Sequence, residues 1–213
     1  MLENAIKIPT KVNNKIQLKV VPGHFATNHS HINYYMDMTR LKAGQREANE
    51  VAATMAKDYQ YNTPIDTIIC MDGCYVIGAF LAERLTEAGV ISMNAHQSIY
   101  VIEPEFNSNG QMIFRDNIQP MVNGKNVLLL LASATTGKTI ARSVECIQYY
   151  GGIIQGISAI FSAADHIEGH AVNSIFNTED LPDYQSFVQS ECPFCKAGHK
   201  IDAIVNSYGY SQL

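Results

Sequence analysis

The longest apolar block in this chain is Val127–Leu131, where no polar position interrupts the run. Five consecutive residues of that kind predict a strand buried on both faces. They run into a loop of small residues and then a helix reaching about Tyr150, and Ile153–Phe161 completes a βαβ unit. Upstream, Thr67–Met71 predicts a second short buried strand, followed by a helix over Tyr75–Ala88 that Gly89 ends. Val51, Ala52, Met55, Ala56 and Tyr59 recur at helical spacing, which predicts a helix from about Leu41 to Tyr59. Ile16–Val21 predicts a short strand stopped by Pro22-Gly23; Asn33–Met38 and Ser98–Glu103 predict two more. The polar stretch 104–120 contains Asn109-Gly110 and reads as a long mobile hairpin or loop. Near the end, Ile201, Ile204 and Val205 give a short apolar face able to dock the tail on the core or a partner. Strands alternating with helices predict an α/β fold, a parallel sheet with helices on both faces. Ligands bind such sheets at the carboxyl ends of the strands, where the loops 71–75 and 132–139 fall.

Composition narrows the classes. A chain of 213 residues, 46% hydrophobic, fits one globular domain. No stretch approaches the ~20 apolar residues of a membrane span, and the first residues do not read as a secretory signal. A net charge of -5 argues against a nucleic-acid surface. Five cysteines, an odd number, suit a reducing cytoplasm.

The loop after Val127–Leu131 carries the clearest chemistry. Ser133-Ala134-Thr135-Thr136-Gly137-Lys138-Thr139 leads into a helix N-terminus, whose free N–H groups and dipole favour an anion. Thr135, Thr136 and Thr139 add hydroxyls, and Gly137 allows close backbone approach. The competing reading is an ordinary turn with capping threonines. Phosphate binding is the expectation taken. Ala132-x4-Gly137-Lys138-Thr139 also meets a loose Walker A pattern, but little chain follows to supply an apolar strand ending in an Mg²⁺-binding acid. The one candidate, Ile157–Asp165, has several small residues before its acid.

The order of several motifs resembles the type I phosphoribosyltransferases, the orotate branch in particular. Gly23-His24-Phe25 and Tyr34-Tyr35-x-Asp37 resemble the N-terminal hood and base-site segment. Asp66-Thr-Ile-Ile-Cys70 followed by Asp72-Gly73 resembles the strand and pyrophosphate loop. Gly124-Lys125-Asn126 and the loop ending Thr135-x-Gly137-x-Thr139 resemble the segment that binds 5-phosphoribosyl-1-pyrophosphate (PRPP). Cys192-Pro-Phe-Cys195-Lys-Ala-Gly198 resembles one ending found in that branch, so the resemblance spans roughly Val20 to Gly198. It implies the type I transferase fold with a small N-terminal hood over about 1–40 and a CxxC tail over about 190–213. It also implies a 5-phosphate site at 133–139, a pyrophosphate loop at Met71, Asp72, Gly73 and Cys74, and a base site at Phe25, Tyr34 and Tyr35. Mg²⁺ bound with PRPP and a homodimer are implied as well.

Two departures from the family matter. Leu131 and Ala132 stand where two acids would hold the ribose hydroxyls. Each such charge-assisted hydrogen bond is worth ~1.5–3 kcal/mol, so losing both weakens PRPP by ~10²–10⁴-fold. The family's loop lysine is absent from 104–120, where Arg115 is the only cation. Arg115 either replaces it on the pyrophosphate or is a solvated hairpin charge.

The remaining candidates are weaker. Cys70 and Cys74, with no basic residue nearby in sequence, read as buried thiols. His24, His29 and His31 read as incidental hood histidines, with metal or phosphate binding as the alternative. Cys192 and Cys195, followed by His199, form half a zinc site; closing it needs His166, His170 or another subunit. A metal-free turn is the expectation, with structural Zn²⁺ the alternative. The function expected is an orotate-type phosphoribosyltransferase, or one with impaired catalysis, in the cytoplasm. Its partner is a phosphorylated ribosyl small molecule rather than nucleic acid or membrane. The alternatives are a non-catalytic ribose-phosphate or nucleotide sensor and, behind it, a P-loop nucleotidase.

Overall fold

The computed structural model describes residues 2–87, 92–95, 98–135 and 137–213. The chain opens with strands β1 (Ile6–Pro9), β2 (Gln17–Ala26) and β3 (His31–Asp37). Helices α1 (Thr39–Ala43) and α2 (Gln45–Met55) follow, then β4 (Thr67–Cys70), α3 (Tyr75–Glu87) and β5 (Tyr100–Ile102). A hairpin, β6 (Glu105–Phe106) and β7 (Met112–Ile113), precedes β8 (Asn126–Ala134), α4 (Lys138–Tyr149) and β9 (Ile153–Ser162). The chain closes with β10 (His166–Ile167), β11 (His170–Asn177), β12 (Ser186–Phe187), α5 (Pro193–Lys196), β13 (Ala203–Asn206) and β14 (Gly209–Gln212).

The central sheet has the order β10-β11-β9-β8-β4-β5, and its neighbours from β11 to β5 are parallel. Successive side chains of a strand face opposite ways, and in β8 both ways lead into core. Leu128 and Leu130 pack with α2 and α3, while Leu129 and Leu131 pack with Ile140, Val144 and Ile147 of α4. That double burial is why the apolar run is unbroken. The result is the α/β architecture with helices on both faces.

A second sheet, β12-β3-β2-β13-β14, with β1 also on β2, forms a hood over the α2–α3 face. β13 pairs in parallel with the end of β2, so the tail is part of the hood. β2 does not stop at Pro22-Gly23; it runs to Ala26 because a bulge between Pro22 and Phe25 absorbs the irregularity. The helix expected from Leu41 to Tyr59 is broken at Gly44, whose backbone is extended between α1 and α2. Its last turn, Ala56–Asp58, is 3-10. The end expected for α3, at Gly89, lies outside the described residues. Among the described residues, no helix is long and apolar enough to cross a membrane.

Candidate functional site

The loops after β4 and β8 lie side by side. Met71 N–H donates to Leu130 O at 2.8 Å, and the Ala132 N–H lies 3.4 Å from Asp72 Oδ2. Above them, the hood and the β13–β14 turn enclose a cleft of about 270 Å³. Its floor is Asp72, Ala132, Ser133, Thr135 and Thr139, and Tyr35 stands in the hood wall.

The 133–139 loop, expected to bind phosphate, runs from the end of β8 into α4. Gly137 caps α4 with φ 71°, and a Cβ there would lie 3.1 Å from Ile167 Cδ1, so both conformation and space call for glycine. The first N–H groups of α4 open next to Thr135 and Thr139. Ala134 turns into the core beside α4. Lys138 is exposed outside the cleft wall, and Thr136 lies outside the described residues.

Asp72 and Gly73 both adopt positive φ, 56° and 73°, which folds the 71–75 loop tightly under the hood. Met71 and Cys74 are core residues, so of this loop's side chains Asp72 alone lines the cleft. Burial raises the Asp72 carboxyl above its usual range; the Ala132 N–H, Lys42 and the Ser133 N–H partly offset this. Burial likewise pushes the Cys70 and Cys74 thiols upward, which suits inert buried thiols.

Lys42 is a site residue that sequence reasoning missed. From α1 its ammonium donates to Asp72 O at 2.8 Å and to Ser207 O at 2.6 Å, tying the 71–75 loop to the β13–β14 turn. Its only sequence signal was a lysine in the short helix directly after the hood strand.

Other assignments are redistributed. Of the three aromatic residues given to a base site, Tyr35 lines the cleft. Its phenol is pushed to about 12, chiefly by burial and then by Asp37 and Tyr210, so it stays a neutral donor at physiological pH. Phe25 is 1% exposed inside the hood core, and Tyr34 packs against that core rather than the cleft. Arg115 is engaged away from the cleft: its Nε and guanidinium NH2 donate to Glu105 at 2.7 and 2.5 Å across the β6–β7 hairpin. Leu131 is fully buried against α4, and Ala132, 5% exposed, packs in the core under the hood at the border of the cleft. His29 lines the cleft, whereas His24 and His31 turn inward to meet Cys192 and Cys195. The histidines joining that pair are therefore not His166 or His170, which sit on β10 and β11 at one end of the central sheet.

No protein-family model matches this sequence, and no curated protein matches it either. Solved structures do match. Orotate phosphoribosyltransferase from Mycobacterium tuberculosis H37Rv, solved in complex with PRPP, aligns with TM-score 0.51 at 17% identity over 69% of this chain and 82% of that one. The fold is that of the type I phosphoribosyltransferases. The Aeropyrum pernix orotate phosphoribosyltransferase gives TM-score 0.52 and 19% identity over 76% of this chain and 92% of that one. Adenine phosphoribosyltransferase from Thermoanaerobacter pseudethanolicus gives 0.50 and 16% over 82% and 96%. Within this transferase fold, the cleft lies where doubly covered parallel sheets bind ligands, at the strands' carboxyl ends.

Proposed function

We propose that this chain binds a 5-phosphoribosyl ligand in the cleft and is a phosphoribosyltransferase of the orotate type. It would move the phosphoribosyl group from Mg-PRPP to a ring nitrogen of a pyrimidine-like base, releasing pyrophosphate. The observation carrying this reading is the meeting of the α4 N-terminus, the 71–75 loop, Lys42 and Asp72 around one cleft. The 5-phosphate takes the free N–H groups of α4 with the Thr135 and Thr139 hydroxyls. Pyrophosphate lies over the 71–75 loop, where Lys42 exchanges its carbonyl partners for phosphate oxygens. Asp72 reaches the Ala132 backbone and accepts a ribose hydroxyl in place of the absent acids. Tyr35 borders the base.

Asp72, the one carboxylate among the described residues lining the cleft, would be the residue to hold an Mg²⁺ brought in with pyrophosphate, and the cation would supply charge neutralisation there. As the C1–O bond breaks, positive charge develops on the sugar. Asp72 faces that charge while Lys42 stabilises the departing anion. A homodimer in the cytoplasm, without nucleic-acid or membrane partners, belongs to the same reading.

A second reading, a non-catalytic sensor of ribose phosphates or nucleotides, is favoured by Leu131 in the core and Arg115 held by Glu105. Calorimetry with Mg-PRPP against ribose 5-phosphate, orotidine monophosphate and ATP separates the two, followed by pyrophosphate release with orotate. Micromolar PRPP binding with pyrophosphate release supports the transferase. PRPP binding no tighter than ribose 5-phosphate, without release, leaves the sensor. Tight ATP binding abolished by Lys138→Ala would instead favour a nucleotidase.

A further inference from the structure

On the side of the hood occupied by α5, four side chains converge on one point. His24 Nε2 lies 3.0 Å from His31 Nδ1, 3.4 Å from Cys192 Sγ and 3.6 Å from Cys195 Sγ. Cys195 Sγ is 3.3 Å from His31 Nδ1, and all four ligand atoms lie within 4.8 Å of one another. A tetrahedral zinc with Zn–N of about 2.0 Å and Zn–S of about 2.3 Å spaces its ligand atoms roughly 3.3–3.8 Å apart. These four separations, 3.0–3.6 Å, lie close to that spacing.

Hydrogen bonding alone does not account for it. His24 Nδ1 is 3.1 Å from Lys200 O; a carbonyl only accepts, so Nδ1 carries the proton and Nε2 presents a lone pair. One lone pair accepts one good hydrogen bond, yet three polar atoms crowd this one. A metal-binding histidine characteristically donates its other ring N–H to a backbone carbonyl, which fixes the tautomer and aims the ligand atom. The surroundings hold the ring in place. Phe194 stacks on His24 with centroids 5.3 Å apart, and the His24 backbone N–H donates to Asp202 Oδ2 at 2.7 Å. A Cβ on Gly23 would meet that same Oδ2 at 2.7 Å, so the close approach requires glycine.

We infer that His24, His31, Cys192 and Cys195 form a structural Cys2His2 zinc site. Binding displaces one proton from each thiol, and two thiolates with two neutral imidazoles balance the 2+ charge. That neutrality fits a place where His24, His31 and Cys192 are 3%, 5% and 0% exposed and Cys195 closes the site from its exposed side. Four protein ligands leave no open position, so the metal is structural rather than catalytic. Its consequence is topological: it clips β2 and β3 to the start of α5, and so anchors the β13–β14 turn that walls the cleft. The inference stands independently of the transferase reading, since it concerns neither PRPP nor turnover.

The test is metal analysis of the full chain purified without chelator or affinity metal, with thiols titrated in parallel. One zinc per chain is expected, released when the two thiols are modified. Replacement by Co²⁺ should give the thiolate-to-metal charge-transfer band and strong visible bands of a tetrahedral S2N2 site. Cys195→Ser should lose stoichiometric zinc, whereas the double variant His166→Ala, His170→Ala should retain it. Because Cys195→Ser risks misfolding, the wild-type metal content and cobalt spectrum decide independently. Zinc-free protein with two freely titrating thiols, a Cys192–Cys195 disulfide, or octahedral cobalt would each overturn the site.

Discussion

The Lys42 ammonium lies 2.8 Å from the Asp72 carbonyl and 2.6 Å from the Ser207 carbonyl, so one charge spans the floor and roof of the cleft. Neutral carbonyls are weak counterparts for a cation, and an incoming pyrophosphate would attract it more strongly. Lys42→Met should weaken Mg-PRPP by ~10–100-fold, the worth of one charge-assisted hydrogen bond. The weakening should be much smaller for ribose 5-phosphate, which lacks the pyrophosphate. Calorimetry on the pair of ligands checks this. Equal losses for both would place Lys42 on the 5-phosphate instead.

Asp72 shows a tension between stability and binding. Burial raises its folded-state pKa, so the native state favours the neutral acid. That contribution is fully present below the unfolded value of about 3.9 and is lost as pH rises through the raised folded value. At neutral pH the ionised carboxylate therefore destabilises the fold. Asp72→Asn, which tolerates the same positive φ, should raise Tm by a few degrees at pH 7 and hardly at all near pH 3. The same variant should weaken Mg-PRPP by ~10-fold or more. Thermal melts across pH beside binding isotherms test both halves, and a Tm gain at pH 3 as large as at pH 7 would contradict the linkage.

How much of this was readable follows from where the information lies in the chain. β4, β8 and β9 announced themselves because core on both faces favours apolar runs, Val127–Leu131 above all. Gly137 at positive φ, and Thr135 and Thr139 lining the cleft beside it, are local chemistry and were equally legible. The break between α1 and α2 was not, because apolar spacing continues past Gly44. The tail was misjudged in another way: Ala203 and Val205 are buried while Ile204 is 47% exposed, a strand's period of two. The inward pair His24 and His31 carries no signal toward Cys192, 168 residues away in sequence from His24. Only the β2–β3 register, with Phe25 opposite Ile32 and Ala26 opposite His31, brings the histidines together. Lys42 was missed for the same reason, since both its partners are backbone carbonyls on other segments.

The loop at the start of α4 should respond to backbone change more than to charge. Gly137→Ala places a Cβ at positive φ and 3.1 Å from Ile167 Cδ1, with a conformational cost of about 1–2 kcal/mol before any clash. Tm should fall by several degrees, and affinity for ribose 5-phosphate by ~10-fold or more. Exposed Lys138 lies outside the cleft wall, so Lys138→Ala should change affinity by less than about 3-fold. A loss of 100-fold from Lys138→Ala would require the lysine to turn onto the phosphate.

The two positions where the family carries acids should answer oppositely to restoration. Leu131 is 0% exposed between the sheet and α4, so Leu131→Asp buries a charge without a partner and should destabilise by more than about 4 kcal/mol. Ala132 is 5% exposed in the core under the hood but borders the cleft, where a carboxylate can turn toward water and ligand, so Ala132→Asp should fold and cost far less than Leu131→Asp. Alone it would stand beside Asp72, whose Oδ2 is 3.4 Å from the Ala132 N–H, and like charges at that range raise one another's pKa. Joined with Asp72→Asn, it should restore Mg-PRPP affinity to within about 10-fold of wild type, because one acid again faces the sugar. Denaturant melts and calorimetry on the three variants decide it. If Leu131→Asp melts like wild type, the assignment of β8 faces is wrong. If the double variant binds PRPP no better than Asp72→Asn alone, Asp72 does not stand in for the missing acid, and the sensor reading gains ground.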